Sequence, residues 1–235
     1  MPASSALAVE RELKRAGTND RAESSAWFFK TGPGQYGHGD LFYGVTVPEQ
    51  RKIAKNHREL SLSEIKKLLN SKIHECRLTA LLILVGKYEK GNEEQKSKIC
   101  EFYLDNLQRV NSWDLVDTSA HKILGPELRN RDRNILYKLA KSKSLWDRRV
   151  ALISTFAYLK DHDFKDTLKI CEMYLNDEED LIHKATGWAL REVGKVSEPT
   201  LIKFLNKNYK RMPRTSLRYS LERLSPELRQ NYMKK

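Results

Sequence analysis

Hydrophobic residues recur every three or four positions along most of the chain, with charged and polar residues between them. This spacing predicts amphipathic helices, and the strict alternation typical of half-buried strands is missing. Helices are predicted over residues 6–16, 20–30, 48–57, 61–69, 74–88, 93–107, 113–124, 133–141, 146–159, 164–175, 181–193, 199–208 and 214–224. The pattern therefore predicts an all-α protein.

A short motif recurs about every 35 residues along these helices. Its equivalent positions, separated by 37, 34, 36 and 34 residues, are Arg77, Asp114, Arg148, Lys184 and Arg218. A period near 35 with two helices per unit is typical of an α-solenoid, in which each helix pair buries its apolar face against its neighbours. We expect a single domain over 1–235, with N-terminal helices at about 6–30, a glycine-rich loop at 31–40 and helical repeats over 48–230.

One helix departs from this repeat pattern. Asp117 occupies a place that the other repeats fill with small or apolar residues, namely Ala80, Ala151, Gly187 and Leu221. An ionised carboxylate in a helix interior is costly to desolvate, and aspartate has poor helix propensity. Trp113 lies four residues earlier and so on the same helix face. We expect Asn111 or Ser112 to cap this helix, Asp114 to suit its first turn, and Gly125-Pro126 to end it.

Charge narrows the class of partner. The chain has 43 Lys and Arg against 31 Asp and Glu, a net charge of +12. Ten basic residues against Glu222 and Glu227 place +8 of this excess in the last 33 residues. This distribution favours a polyanionic partner, with nucleic acid as the leading candidate. Lys184, Arg214 and Arg218 are predicted to contact it.

Other classes of site find little support in the sequence. Cys76, Cys100 and Cys171 are odd in number and form no CxxC pair, so neither a disulfide framework nor a zinc site is indicated, and a reducing cytoplasm fits. The six histidines lack metal-ligand spacing. No apolar run reaches the length of a membrane span, and the first twenty residues lack the apolar core of a signal peptide. We expect no metal, no cofactor and no membrane partner.

The glycine-rich segment Gly32 to Gly39 formally matches GxGxxG. No strand precedes it, Pro33 removes a backbone donor, and no βαβ pattern surrounds it. We therefore interpret the segment as a connecting loop rather than a nucleotide-binding loop.

Structural explanations exist for each unusual residue taken alone. Trp113 and Trp188 are each compatible with the core, His121 with a helix surface, and Asp117 with a buried ion pair to Arg148 or Arg149 on the next repeat. However, two tryptophans, an aspartate and several arginines on equivalent helices of consecutive repeats form one aromatic, acidic and basic cluster. A carboxylate beside a polyanion can stabilise the positive charge that develops on deoxyribose when an N-glycosidic bond breaks. An alkylated purine is already cationic and leaves neutral, so one carboxylate suffices.

Several motifs are similar to those of the AlkD-like DNA alkylation-repair glycosylases, in the same order and over about residues 20–230. They are Trp113-Asp114-Leu115-Val116-Asp117, Trp146-Asp147-Arg148-Arg149-Val150-Ala151, Lys184-Ala185-Thr186-Gly187-Trp188-Ala189-Leu190-Arg191-Glu192 and Gly44-Val45-Thr46-Val47-Pro48-Glu49-Gln50-Arg51. The resemblance implies a HEAT-like helical-repeat solenoid, an α-α superhelix, with a concave basic surface that binds duplex DNA. It also implies excision of cationic N3- and N7-alkylpurines without metal or cofactor, while the lesion stays stacked instead of being flipped out.

The resemblance also implies residue functions. By motif, Asp117 corresponds to the catalytic carboxylate, Trp113 and Trp188 to the aromatic plates, and Arg191 to a phosphate clamp. A second clamp corresponds to Arg149 or Arg148, and we prefer Arg149. An aromatic residue at the end of the second helix contacts the lesion strand in the family, and its nearest equivalent here is Phe28, with Trp27 beside it.

The expected function is thus hydrolysis of the N-glycosidic bond of alkylated purines in double-stranded DNA. We expect a monomer without an obligate protein partner, located in the cytoplasm and on the nucleoid when bound to DNA. Two alternatives remain: a DNA-structure-binding protein without catalysis, and a scaffold that binds protein partners.

Overall fold

The computed structural model describes residues 5–234, and these residues form helices and no strand. The α-helices are α1 (Ala6–Ala16), α2 (Asn19–Phe28), α3 (Val47–Asn56), α4 (Leu62–Leu69), α5 (His74–Lys90), α6 (Glu93–Asp105), α7 (Trp113–Ser119), α8 (Leu124–Glu127), α9 (Asn134–Ala140), α10 (Leu145–Ser154), α11 (Lys165–Met173), α12 (Asp180–Val196), α13 (Glu198–Asn208), α14 (Arg214–Ser220) and α15 (Pro226–Met233). Short 3₁₀ segments cover Leu107–Arg109, Ala120–Lys122, Thr155–Asp161 and Tyr174–Asn176. The prediction of an all-α, HEAT-like helical-repeat fold is confirmed.

The chain divides into two compact units, Met1–Ile123 (unit 1) and Leu124–Lys235 (unit 2). Residues 1–4 and 235, which belong to the predicted domain, lie outside the described residues. The single domain over 1–235 and the concave basic surface stay predictions. Within residues 5–234, no helix combines the length and apolar character needed to span a membrane.

Unit 1 is built around α5, a helix of 17 residues that is buried along most of its length. Helices α3, α4, α6 and α7 pack against it. Buried Glu75 on α5 accepts hydrogen bonds from the backbone N–H groups of Tyr43, Gly44 and Val45 at 3.1, 2.8 and 3.2 Å. This carboxylate fixes the segment that leads into α3, which then begins with a capping box between Thr46 and Glu49.

Unit 2 is built around α12, also a helix of 17 residues. Helices α10, α11, α13 and α14 pack against it. Gly187 allows α14 to approach closely, since a Cβ atom at this position would lie 2.5 Å from the Cβ of Tyr219. This contact explains the small residue found at Gly187 in the repeat pattern.

The repeat predicted through Arg77 and Arg148 has a matching local geometry in each unit. The Nη1 of Arg77 donates to the Ser71 carbonyl at 3.0 Å, and the Nη1 of Arg148 donates to the Ser142 carbonyl at 3.1 Å. In both cases the arginine fastens the turn six residues before it to its own helix. These two equivalent positions are therefore structural parts of the repeat.

Several predicted helices are shorter than expected, and in two of them a serine accounts for the change. The predicted helix 113–124 consists of α7, a 3₁₀ turn and α8, and 146–159 consists of α10 followed by a 3₁₀ segment. The Ser119 and Ser154 hydroxyls donate to the carbonyls four residues earlier, at 2.6 and 2.7 Å. Serine hydroxyls in this position compete with the regular backbone bonds and favour a change of helix geometry.

Three other boundaries differ from prediction. Gly125 and Pro126 do not end a helix but lie inside α8, where Gly125 fits because a Cβ there would lie 2.4 Å from the Ser154 carbonyl oxygen. Helix α2 ends at Phe28 because Lys30 adopts a left-handed conformation, with φ of 55°. Helix α15 was not predicted, although Ser225 caps it and Pro226 opens it.

Candidate active site

Three of the residues predicted from the sequence meet in one open cleft of unit 1. Phe28, Trp113 and Asp117 line this cleft, whose volume is about 450 Å³. Phe28 is 56% exposed, whereas Trp113 and Asp117 are partly buried. Arg51 from α3 and Lys122 bring positive charge to the same cleft. We call this the Asp117 cleft.

The Trp113 ring is held in a fixed orientation. Phe29 stacks on it, with ring centroids 5.4 Å apart, and Phe28 meets it edge to face at 5.9 Å. Its indole N–H donates to the Tyr36 hydroxyl at 3.2 Å. Tyr36 belongs to the glycine-rich loop, so this loop supports the aromatic wall of the cleft.

Asp114 has a different function from the one expected. Ser112 precedes α7, but its side chain makes no capping hydrogen bond. Asp114 does not act only in the first turn of the helix, because its Oδ2 lies 2.8 Å from His74 Nε2 and forms a hydrogen bond with it. The other ring nitrogen, Nδ1, lies 2.9 Å from Asp40 Oδ2, and Arg77 donates to the same Asp40 oxygen at 2.6 Å. A buried charge network therefore links the glycine-rich loop, α5 and the start of α7.

His74 is the centre of this network and is only 2% exposed. Its ring also packs against Phe29 and Phe42, with centroid separations of 4.5 and 5.0 Å. Burial alone would lower the pKa of His74, but the charge and hydrogen bond of Asp114 and the hydrogen bond of Asp40 overcome it and raise the pKa to about 9. The ring is therefore a buried cation at neutral pH.

His121 contrasts with His74. It lines the Asp117 cleft beside Lys122, and burial, helped by the Lys122 charge, lowers the pKa of His121. The imidazole is therefore neutral at neutral pH. Of the two aspartates on α7 that line this cleft, Asp114 is bonded to His74, whereas Asp117 lies beside His121 and Lys122.

Sequence reasoning missed Tyr36, Asp40 and His74. The glycines of the loop were the available signal. Gly37 is needed for packing, because a Cβ at this position would lie 2.3 Å from the Phe29 carbonyl oxygen. A glycine required for such packing indicates a folded loop rather than a loose connection. The interpretation as a connecting loop is confirmed, but its residues also build the site.

Trp27 precedes Phe28 on α2 but does not line the Asp117 cleft. It is 84% exposed and lines a second depression, with Phe28, Arg21 and Thr46. Phe28 lines both depressions. An exposed aromatic pair at the rim of a cleft suits contact with a nucleic acid strand.

Trp188 and Arg191 lie on α12 in unit 2, and both are bonded within that unit. The Trp188 N–H donates to Glu192 at 3.0 Å, and its ring meets Phe156 edge to face at 4.8 Å. Arg191 forms an ion pair with Glu222, while its Nε is buried without a hydrogen-bond partner among the described residues. A phosphate at Arg191 would therefore compete with Glu222.

The Arg148-Arg149 doublet is also occupied. Arg148 Nε lies 2.8 Å from Asp177 Oδ2, and Arg149, which is 5% exposed, donates to the Leu181 carbonyl at 2.7 Å. Neither geometry presents an unencumbered guanidinium of the kind expected for a phosphate clamp.

The other predicted basic contacts are at the surface of unit 2. Lys184 pairs with Asp180 at 2.7 Å, and Arg214 donates to the Met233 carbonyl at 3.1 Å. Arg218 is exposed on α14. Among residues 5–234, no group of three or more His, Cys, Asp or Glu side chains is arranged to hold a metal ion.

Comparison with known proteins gives a consistent family. The family model described as DNA alkylation repair enzyme matches residues 9–224. A solved structure described as a predicted DNA alkylation repair enzyme from Enterococcus faecalis is similar, with a TM-score of 0.69 and 18% identity, covering 89% of this chain and 97% of that one. At this identity the likeness shows a shared fold. No curated protein sequence matches the chain.

Proposed function

Since the chain belongs to the DNA alkylation repair enzyme family, we propose that it is a DNA glycosylase that releases cationic N3- and N7-alkylpurines from duplex DNA, with Asp117 as its catalytic carboxylate. The observation that carries this proposal is the Asp117 cleft. It combines the Asp117 carboxylate, an oriented tryptophan and an exposed phenylalanine in an open depression, with Arg51 and Lys122 at its walls. The second carboxylate that lines it, Asp114, is bonded to His74.

The reaction needs few groups. The C1′–N9 bond breaks and its electron pair stays with the purine, which cancels the positive charge of the base. The deoxyribose becomes an oxocarbenium ion, water adds to C1′, and the added water loses a proton through Asp117 to solvent. The products are the free base and an abasic site.

The cleft suits these steps. The Asp117 carboxylate stabilises the cationic sugar and orients the water. The faces of Trp113 and Phe28 pack against sugar and base, and an aromatic face attracts a cationic base. The His74 network holds Asp114, and with it the first turn of α7, so the neighbouring Trp113 and Asp117 keep their orientation.

Unit 2 contributes to binding in this proposal. Trp188 is the second aromatic plate, Arg191 is a phosphate contact, and Lys184, Arg214 and Arg218 add positive charge. Arg148 and Arg149 instead stabilise the repeat through Asp177 and the Leu181 carbonyl. Trp27 supports Phe28 at the lesion strand. Phosphate contacts set the position of a protein on the duplex.

The test is release of free base from a duplex with a single 7-methylguanine under single-turnover conditions. We expect release by the parental protein, unaffected by EDTA because departure of a cationic base needs no Lewis acid. Asp117→Asn keeps the size of the side chain but removes its charge, so release should slow by about 10²- to 10³-fold. Asp105→Asn, which changes an exposed aspartate at the end of α6, is the matched control and should release at the parental rate.

The melting temperature of the same preparations completes the test. An Asp117→Asn protein that melts normally and releases base at the parental rate would remove Asp117 from catalysis. A protein that melts much lower, while its folded fraction excises at the parental rate, would assign the carboxylate to stability alone. Duplex binding without release by the parental protein would favour a DNA-structure-binding protein.

A further inference from the structure

Gly86 lies in the interior of α5, where glycine is unfavourable, and no neighbour explains it. An added Cβ at Gly86 would have no heavy atom within 4 Å. At the other helical glycines of residues 5–234, Gly125, Gly187 and Gly194, the nearest atom would lie at 2.4, 2.5 and 2.5 Å. Those three permit close packing within the chain. Gly86 instead leaves the α5 backbone open to the outside.

The opening above Gly86 is a basic groove between α3 and α5. Its volume is about 310 Å³, and Leu82 and Ile83 contribute to its lining. The charged residues that line it are all cationic: Arg51, Lys55, Arg58 and Lys90. An isolated helical glycine without a packing partner, under four cations, favours close approach of an anionic ligand.

The groove lies next to the Asp117 cleft. Arg51 lines both, and Arg58, Gly86 and Lys90 also line a further depression towards α6. The acidic residue that lines the further depression, Glu59, is paired with Arg58 at 3.3 Å.

Three cations of the groove have no such compensation. Arg51, Lys55 and Lys90 are exposed and form no ion pair in the described part of the chain. Uncompensated cations along one groove leave a net positive potential that only an external anion can neutralise.

We propose that this groove, named here the Gly86 track (Arg51, Lys55, Arg58, Gly86 and Lys90), binds the phosphodiester backbone of duplex DNA beside the lesion. This inference rests on the proposed function for the identity of the anion. Arg51 and Lys55 are four residues apart on α3, about 6 Å along the helix. Successive phosphates of one strand lie about 3.4 Å apart along the duplex axis, so the spacing of these two cations is close to two phosphate steps. The missing side chain at Gly86 lets the sugar-phosphate chain lie against α5.

The first experiment measures the salt dependence of binding to a fluorescein-labelled duplex without a lesion. The double variant Lys55→Gln/Lys90→Gln should reduce the slope of log K against log salt by about two, because each lost phosphate contact removes about 0.9. Lys14→Gln/Lys66→Gln removes the same charge from exposed lysines of α1 and α4 that do not line the track. It should keep the parental slope. Equal slopes for the two double variants would overturn the proposal.

The second experiment uses Gly86→Ala, which changes no charge. Alanine favours a helix more than glycine, so the melting temperature should stay unchanged or rise. Binding should nevertheless weaken by about fivefold, because the added methyl group keeps the sugar-phosphate chain away from α5. A Gly86→Ala protein that binds the duplex as tightly as the parental protein would contradict close approach of the backbone.

Both measurements use undamaged DNA, so they separate this inference from the proposed function. A smaller salt slope in Lys55→Gln/Lys90→Gln, without any 7-methylguanine release by the parental protein, would support the track and count against the glycosylase.

A third experiment measures binding to vesicles of phosphatidylserine and phosphatidylcholine. Vesicle binding that depends on Lys55 and Lys90, with duplex binding unchanged, would assign the track to a membrane surface and overturn the proposal.

Discussion

Trp113 in unit 1 and Trp188 in unit 2 lie on equivalent helices of the sequence repeat but have different surroundings. Trp113 is bonded to Tyr36 from a folded loop and opens onto a cleft with Asp117. Trp188 is bonded to Glu192 on its own helix, next to Arg191, which pairs with Glu222. Unit 1 therefore presents a carboxylate to a ligand, whereas unit 2 presents cations whose charge neighbouring carboxylates partly neutralise. Under the proposed function, catalysis therefore depends on unit 1, and unit 2 exchanges internal partners for phosphate.

The largest effect should come from the charge network that supports the unit 1 cleft. His74→Gln removes the buried cation between Asp40 and Asp114, and should lower the free energy of unfolding by roughly 3 kcal/mol or more. Denaturant unfolding measures this free energy. The control is His38→Gln, which changes an exposed histidine of the glycine-rich loop and should leave the free energy of unfolding unchanged. Equal stability of the two variants would show that the network does not support the cleft.

The same network makes stability depend on pH. Folding raises the pKa of His74 from 6.5 to about 9, so its contribution is complete below pH 6.5 and is lost as the pH rises through about 9. The loss is on the order of 3 kcal/mol. Unfolding at a series of pH values should show this decline in the parental protein, and a smaller decline in His74→Gln. If the free energy of unfolding declined equally with pH in both proteins, His74 would not be charged in the folded state.

A smaller effect should separate the two interpretations of Arg149. Because Arg149 is 5% exposed and donates to the Leu181 carbonyl, Arg149→Ala should cost about 1 to 3 kcal/mol of stability. A phosphate clamp would instead lower the salt slope of duplex binding by about one without changing the melting temperature. Arg218→Ala, at an exposed position, is the control for lost charge without lost burial.

The smallest effect concerns partner exchange at Arg191. Glu222→Gln should tighten duplex binding and increase the salt slope by up to about one, because Arg191 is released for a phosphate. Arg191→Ala should reduce the slope by less than Glu222→Gln increases it. The double variant should resemble Arg191→Ala, since both charges are then gone. An additive effect of the two substitutions would place Glu222 and Arg191 in separate functions.

Local signals predicted most of the helices, because capping residues and apolar spacing act within a few residues. Ser61 and Asn92 cap α4 and α6 close to the predicted starts. The broken helices at Ser119 and Ser154 were missed, since a serine hydroxyl has alternative partners and only the structure shows that it bonds the carbonyl four residues back. The repeat through Arg77 and Arg148 was predictable because a solenoid repeats its contacts along the chain.

The site was predictable only where its chemistry is concentrated in one helix. Trp113 and Asp117 stood out because they are four residues apart and break the repeat. The His74 network was not predictable, since Asp40, His74 and Asp114 are more than thirty residues apart and meet only through packing. For the same reason the sequence predicts only a local role for Asp114, at the start of its helix. The sequence motif favours Arg149 over Arg148 but carries no information on burial, which only packing supplies.

The most direct measurement of the central claim compares two lesions at one position of the same duplex. 7-Methylguanine carries a positive charge and leaves neutral, whereas hypoxanthine is neutral and needs an acid to protonate it as it leaves. Because Asp114 is bonded to His74 and the pKa of His121 is lowered, the cleft offers Asp117 but no group that protonates a leaving base. It should release 7-methylguanine and leave hypoxanthine in place under single-turnover conditions. Release of both bases at similar rates, or of neither, would contradict a single-carboxylate glycosylase in the Asp117 cleft.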